Sequence, residues 1–321
     1  MTTVLQLEYV GDLEPYDYER AALAKVGATL QVARCADGDE VVERAGDARV
    51  IWLEWTPHLT RDVLERLPQC GLVMRWGVGY DQIDVVAATE LGIAVANAPS
   101  YCTEDVAEHA IGMLLATSRQ IALRHEQMRA GQWRAGAARI RRIQGSTVGV
   151  VGLGRIGRRV AELAGALGAR VLGADPVAAA PPGVQAVDLP TLLAESDFVS
   201  LHVPMSTENR YLIDADTIGQ MKPGAVLVNT SRGGVVQQQA LIDALADGRL
   251  GGAALDVFET EPLPADSPLR AVPNLVLTSH DAASSEHSLA DLRREICAAT
   301  TEWLTTGWTG SIVNPQVRAH V

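Results

Sequence analysis

Three polar residues sit just past apolar runs in the second half of the chain. Arg232 follows LVNTS, Glu261 follows GGAALDVF, and His280 ends NLVLTSH. Their types suit one chemistry. A guanidinium presents a planar fork that matches a carboxylate and polarises an adjacent carbonyl. An imidazole gives and takes protons near neutral pH. A carboxylate set against that ring would fix its tautomer and balance its charge. Arg232, Glu261 and His280 together are equipped to reduce a 2-keto acid, or to oxidise the hydroxy acid, provided a hydride donor lies beside them. A single residue of any of these types at a strand end is more often structural. Their joint occurrence behind a dinucleotide fingerprint reverses that expectation.

The fingerprint is Gly152-Leu-Gly154-Arg-Ile-Gly157. It follows the apolar run Val148–Val151, opens the helical stretch RRVAELAGALG, and precedes a second strand ending in Asp175. This strand, turn, helix, strand context is what a dinucleotide site needs. Gly152 permits the tight turn, Gly154 lets a pyrophosphate approach the backbone, and Gly157 lets helix and strand pack closely. The phosphates then meet the free N–H groups of a helix N-terminus. Asp175 would accept hydrogen bonds from the adenosine ribose hydroxyls. A 2′-phosphate would meet a like charge there, and the following Pro-Val-Ala-Ala-Ala offers no arginine, so NAD is expected rather than NADP. Asp256, beyond another apolar run, is placed to orient the nicotinamide amide.

The elements that must position these residues alternate almost from end to end. VLQLEYV, TLQVARC, RVIWLEW, GLVMRWG and IAVAN read as strands. DYERAALAKVG, DEVVERAGDA, RDVLERLP and DQIDVVAATELG read as the helices between them. A long helical stretch follows, about 103–130, with Val106, Ala110, Met113, Leu114 and Thr117 at helical spacing. The strand pattern then restarts with STVGVVGLG, ARVLGAD, FVSLHVP, AVLVNTS, GGAALDVF and NLVLTSH, and a final helix is predicted over about 285–305. These runs are rich in Val, Leu and Ala, as strands buried on both faces are. The alternation predicts an α/β protein of two doubly wound parallel sheets in series. In such sheets ligands bind outside the carboxyl ends of the strands, where Arg232, Glu261 and His280 would converge.

Composition excludes other classes. The 321 residues, 47% hydrophobic, suffice for two domains, and the formal net charge is -12. That disfavours nucleic acid and anionic membrane surfaces. The four cysteines (Cys35, Cys70, Cys102 and Cys297) form no C-x-x-C pair and no zinc-spaced cluster, so no metal site is expected and the thiols read as reduced and structural. No run approaches a membrane-spanning length and no signal-like segment opens the chain, so a cytoplasmic location is expected.

Four motifs carry a family resemblance: RWGVGYDQID (75–84), VGLGRIG (151–157), VNTSRGGVV (228–236) and ALDVFETEP (254–262), with His280 beyond them. The sequence resembles the D-isomer-specific 2-hydroxyacid dehydrogenases, and NAPSYCTEDVAEHA (97–110) is similar to the bacterial relatives of the corepressor branch. The resemblance implies an NAD-dependent dehydrogenase with Arg232, Glu261 and His280 as catalytic residues and His280 as proton donor. It implies substrate carboxylate binding by the backbone N–H groups of Val78 and Gly79. Cofactor contacts are implied at Arg155, Ile156, Asp175, His202, Pro204, Thr207, Thr230, Asp256 and Ala282. It further implies a discontinuous flavodoxin-like substrate domain (residues 1–98 plus 290–321), a Rossmann NAD-binding domain (99–289), and a homodimer formed through the latter. An NAD-sensing corepressor-like scaffold keeps the same motifs. A formate or phosphite dehydrogenase is a further alternative, although the formate type is expected to carry Gln where Glu261 stands.

Two departures flank His280. The family usually has Pro before it and a small or apolar residue after it, where this chain has Ser279 and Asp281. Asp281 is expected either to act on His280 or a second anionic group of the substrate, or to cap the final helix. The segment WLEWTPHLT (52–60) holds no Lys or Arg, so an unphosphorylated, bulky or apolar 2-keto acid is expected. Trp52, Trp55, Trp76 and Tyr101 are candidate walls for it, with Trp52 better read as core.

Overall fold

The computed structural model describes residues 2–8, 15–133 and 140–320. The chain divides into two compact units, Met1–Cys102 with Ser285–Val321, and Thr103–Ser284.

The first unit is built on a parallel sheet of β1 (Thr2–Leu7), β2 (Ala28–Ala33), β3 (Val50–Leu53), β4 (Leu72–Arg75) and β5 (Ala94–Ala96). Their spatial order is β2-β1-β3-β4-β5. Successive side chains point to opposite faces, so Leu5 and Leu7 join one core cluster and Val4 the other. The helices between the strands are α1 (Asp17–Ala24), α2 (Gly38–Ala45), α3 (Arg61–Glu65) and α4 (Val85–Glu90). Asp37 and Asp84 start α2 and α4 by accepting the backbone N–H of Glu40 and Ala87. The end of the first apolar run, Tyr9 and Val10, lies outside the described residues.

The second unit opens with α5 (Thr103–Ser118) and α6 (Ile121–Arg129). A single helix is predicted over this stretch, but the chain breaks at Gln120, whose φ of 56° is left-handed. All five apolar-face residues named above, from Val106 to Thr117, are buried on α5, whereas α6 buries none of its side chains. There follow β6 (Thr147–Val151), α7 (Arg155–Ala166), β7 (Arg170–Ala174), β8 (Val184–Ala186), α8 (Leu189–Glu195), β9 (Phe198–Leu201), α9 (Ala215–Gln220), β10 (Ala225–Asn229), α10 (Gln238–Ala246), β11 (Leu250–Leu255) and β12 (Leu275–Leu277). These seven strands form a parallel sheet in the order β12-β11-β10-β9-β6-β7-β8. β8 has no counterpart in the sequence reading: only three residues long and mostly exposed, it lacks an apolar pattern. One face of the sheet packs with Leu192, Ile218 and Leu241, and the other with Ala110, Leu114 and Val160.

The chain then returns to the first unit as α11 (Ser288–Thr306), whose Ile296 and Cys297 join the Val4 cluster. Its start is held by Ser285, whose Oγ accepts the N–H groups of His287 and Ser288 at 3.2 and 3.1 Å. Asp281, a candidate for that role, instead accepts the hydroxyl of Ser279. Burial pushes the Cys70 and Cys297 thiols up to about 12. Among the described residues no helix is long and apolar enough to cross a membrane.

Candidate active site

The order of the second sheet reverses between β6 and β9, the topological switch point at which a doubly wound sheet opens a crevice beyond its strand ends. The turn between β6 and α7 occupies that position. Gly152 has φ of 92°, and a Cβ there would lie 2.5 Å from the carbonyl oxygen of His202. At Gly157 a Cβ would lie 1.9 Å from the carbonyl oxygen of Gly152. Two glycines are thus demanded by the chain itself. Gly154 is not, since a Cβ there meets nothing within 4 Å. Open space stands over it, and Gly154 supplies no side-chain cap, so the first-turn N–H groups of α7 remain available to an anion.

Asp175 ends β7 beside this turn. Its Oδ2 accepts the N–H of Leu153 at 2.7 Å, and its Oδ1 accepts those of Val177 and Ala178 at 2.8 and 2.7 Å. Burial pulls its pKa upward, but these N–H groups and the charge of Arg158 outweigh it and hold the carboxyl below its usual range. Beyond β9, the His202 ring meets the Ser200 hydroxyl at 2.8 Å, and burial pushes the ring down to about 4, so it is neutral at neutral pH. Pro204 and Thr207 lie exposed on the same loop. After β10, the hydroxyl of Thr230 is buried and has no hydrogen-bond partner among the described residues. An orphaned buried hydroxyl, open room over Gly154 and an uncapped helix start together fit a dinucleotide laid along these strand ends.

The other half of the sheet carries Arg232, Glu261 and His280, the residues expected to do acid–base chemistry. Asn229, fully buried at the end of β10, shapes the turn beyond it: its Oδ1 accepts the N–H and hydroxyl of Ser231, and its Nδ2 donates to the Arg232 carbonyl at 2.9 Å. Arg232 is half-buried and donates to the Ser231 carbonyl at 2.8 Å. At Gly233 a Cβ would lie 1.8 Å from the carbonyl oxygen of Phe258, so the turn packs main chain against main chain on the segment after β11. The N–H of that same Phe258 donates to Glu261 Oε1 at 2.8 Å, and Glu261 Oε2 meets His280 Nδ1 at 2.7 Å. Burial raises the Glu261 pKa, but the bond to His280, the His280 charge, the Phe258 N–H and the Arg232 charge together hold it below the usual carboxylate range. His280 itself has φ of 60°, a left-handed conformation that costs of order 1 kcal/mol for a residue with a side chain.

Asp256 imposes that conformation. It is fully buried. Its carbonyl accepts the N–H of His280 at 2.8 Å. Its Oδ1 accepts the Thr278 hydroxyl at 2.6 Å and the Asp281 N–H at 2.9 Å, and its Oδ2 accepts the Ala282 N–H at 3.0 Å. One aspartate therefore fixes the backbone on both sides of His280. Asp256 and Ala282 largely satisfy each other, which leaves mainly the second lone pair of Oδ2 for a nicotinamide amide. The sequence reading missed Asn229, Gly233, Thr278 and His109, whose Nε2 lies 3.1 Å from the Thr278 hydroxyl across 169 residues.

In the first unit, Val78 and Gly79 are half-buried just past β4. The Val78 carbonyl accepts Asn97 Nδ2 at 2.6 Å. The aromatic candidates divide. Trp52 is fully buried and donates to Thr300 Oγ1 at 2.8 Å, and Trp76 packs on it at 5.6 Å between ring centroids. Both belong to the core, as expected for Trp52, whereas Trp76 is a candidate substrate wall in the sequence reading. Trp55 is half-buried with the Arg75 guanidinium 5.1 Å from its ring centroid.

Residues 111–282 match the family model described as the NAD-binding domain of D-isomer specific 2-hydroxyacid dehydrogenases. Over 271 residues the chain is 40% identical to the D-3-phosphoglycerate dehydrogenase of Methanocaldococcus jannaschii, covering 83% of this chain and 51% of that protein. It thus spans about half the length of that relative. It is also 40% identical over 266 residues to the glyoxylate reductase of Korarchaeum cryptofilum, covering 80% of each. Among solved structures, a glyoxylate reductase from Paecilomyes thermophila matches 98% of this chain and 99% of its own with a TM-score of 0.90 at 27% identity.

Proposed function

Because the chain belongs to the D-isomer-specific 2-hydroxyacid dehydrogenase family, we propose that it interconverts a 2-keto acid and a D-2-hydroxy acid with NAD as cofactor. The observation that carries this reading is the 2.7 Å contact between His280 Nδ1 and Glu261 Oε2, at the strand ends that also present Arg232. NAD, when bound, supplies or accepts the hydride. Arg232 binds the substrate carboxylate and draws charge from the keto oxygen. Glu261 accepts from Nδ1–H, so the exchangeable proton is the one on Nε2. His280 delivers it to the keto oxygen in reduction and takes it back in oxidation.

The preferred substrate in this reading is unphosphorylated. The segment after β3, residues 54–60, holds no Lys or Arg, and its Glu54 is buried and accepts Gln6 Nε2 at 2.6 Å. A phosphate needs clustered donors and positive charge instead. Self-association is also proposed, supported by the second unit: α6 buries nothing, while Ile121, Met128 and Trp133 are 56%, 57% and 75% exposed. These exposed apolar side chains, close along the chain, are the kind of surface that a subunit contact would cover.

The test follows NADH absorbance with a panel of 2-keto acids, including glyoxylate, hydroxypyruvate, branched and aromatic acids and 3-phosphohydroxypyruvate. Turnover of the unphosphorylated acids is expected. Absence of turnover with every acid overturns the dehydrogenase reading, and preference for the phosphorylated acid overturns the substrate class. Light scattering on the purified chain is expected to give a dimer mass.

A further inference from the structure

The His109, Thr278 and Asp256 contacts run from the middle of α5 to the segment that presents His280. Thr278 has one hydroxyl proton. Its oxygen lies 2.6 Å from Asp256 Oδ1 and 3.1 Å from His109 Nε2. Two oxygens at 2.6 Å require a proton between them, and a carboxylate can only accept, so the Thr278 proton is directed to Asp256. The second contact must then run the other way, with His109 Nε2–H donating to the Thr278 oxygen. The chain of donors is therefore directional, from imidazole to hydroxyl to carboxylate. His109 Nε2 lies a further 3.7 Å from the same Oδ1, and its side chain is 24% exposed against 1% for Asp256.

The carboxylate at the end of this chain holds the Asp281 and Ala282 N–H groups, and its residue's carbonyl holds that of His280. Without the Thr278 hydroxyl the carboxylate keeps only the Asp281 and Ala282 N–H groups and can turn about the side-chain torsion, and those two anchors just after the left-handed His280 loosen with it. We infer that His109 is a positioning residue: by donating to Thr278 it fixes the Asp256 carboxylate, and with it the geometry of residues 278–282 at the nicotinamide half of the site. This inference rests on the dehydrogenase reading for its kinetic consequences only. The binding consequence does not require turnover. β11 and β12 stand on the far side of the switch point from the Gly152–Gly157 turn, so the relay acts on the nicotinamide end of a bound dinucleotide and not on its adenosine end.

The experiment compares His109→Ala, His109→Gln, Thr278→Val and the His109→Ala/Thr278→Val double variant with the wild type. It measures kcat, KM and the dissociation constants of NADH and of ADP-ribose, which lacks nicotinamide. One hydrogen bond in such a relay corresponds to about a tenfold effect. His109→Ala is expected to lower kcat about tenfold and to weaken NADH, while ADP-ribose binding stays at the wild-type value. His109→Gln, whose amide N–H also donates to Thr278, is expected to recover most of the loss. Thr278→Val is expected to match His109→Ala, and the double variant to be no worse than either. The inference is overturned if His109→Ala leaves kcat and NADH binding unchanged, if NADH and ADP-ribose weaken together, or if the two losses multiply. It is also overturned if His109→Gln is as impaired as His109→Ala. Should the wild type turn over no keto acid, the functional reading fails, while the NADH against ADP-ribose comparison still decides the relay.

Discussion

The two halves of the second unit's sheet build their sites by different means. At the end of β6 the site is main chain: Gly152 and Gly157 are fixed because a Cβ would collide with a carbonyl oxygen at 2.5 or 1.9 Å, and the groups proposed to meet an anion are backbone N–H. At the ends of β10, β11 and β12 the site is side chain. Arg232, Glu261 and His280 are aimed by Asn229, Phe258 and Asp256, and Asp256 in turn by Thr278 and His109. The first construction is local and intolerant of a single methyl. The second reaches across the chain and, apart from Gly233, where a Cβ would lie 1.8 Å from the Phe258 carbonyl oxygen, depends on donors and acceptors distant in sequence. Substitutions should therefore fail differently: glycines of the first end in stability and cofactor affinity, and Glu261 and His280 at the second in rate.

The largest break in that contrast is expected at His280. His280→Asn keeps a side chain of similar reach but carries no transferable proton, and loss of a positioned acid–base group lowers kcat by about 10²–10⁴. Fluorescence titration should give an NADH dissociation constant close to that of the wild type. A parallel loss of NADH affinity would show that the two ends are not separable. Glu261→Gln comes next. The amide cannot balance an imidazolium and can present its NH2 to Nδ1, favouring the wrong tautomer, so kcat is expected to fall about 10²-fold, near 3 kcal/mol at 1.4 kcal/mol per decade. The same titration checks that cofactor binding survives.

The contrast also explains what the sequence could disclose. The turn at Gly152–Gly157 is legible because its requirements fall on consecutive residues, and the parallel sheets are legible from runs of Val, Leu and Ala between amphipathic segments. Arg232, Glu261 and His280 are legible as polar residues where apolar runs stop. Their aim is not, because it is set by groups distant in sequence. Asp256 reads as a candidate ligand to the cofactor, and only its burial and its bonds to Thr278, Asp281 and Ala282 reveal a brace. His109 lies on a helix face, 169 residues from its partner, with no local signal to separate it from a solvated histidine. Local chemistry misled in two places. Asp281 has the type for a helix cap, one of the two roles open to it in the sequence, but the first N–H groups of α11 are accepted by Ser285 Oγ. The stretch after Thr103 reads as one helix because a left-handed Gln120 leaves no mark in apolar spacing.

A smaller effect sharpens the main-chain side of the comparison. Gly157→Ala places a methyl 1.9 Å from the Gly152 carbonyl, so the helix must shift. Overpacking of this kind costs about 1–3 kcal/mol, read as a lowered urea midpoint at unchanged slope. NADH affinity should fall with it, since the same shift moves the N–H groups, while kcat at saturating NADH stays near the wild-type value. Gly154→Ala is the control: its Cβ meets no chain atom within 4 Å, so stability is retained and the methyl obstructs only the cofactor. Equal destabilisation by both variants would contradict the steric account.

The smallest effect concerns pH and belongs to the side-chain end. Glu261 is held below its ordinary range because, although burial raises its pKa, the bond and charge of His280, the Phe258 N–H and the Arg232 charge together lower it further. A carboxyl with a depressed folded-state pKa binds protons more readily when unfolded. Its contribution to stability is therefore complete above the unfolded value of about 4.3 and is lost as pH falls through the lower folded value. Glu261→Gln removes this titration. The stability difference between wild type and Glu261→Gln, taken from urea midpoints, should be at its full value near about pH 6 and shrink toward about pH 3. Asp175, depressed by backbone N–H groups at the other end of the sheet, should show the same direction in Asp175→Asn without any change in kcat at saturating NADH. A pH-independent difference for Glu261→Gln would mean that the carboxylate does not bind its partners more strongly when ionised, and the tautomer assigned to His280 would lose its support.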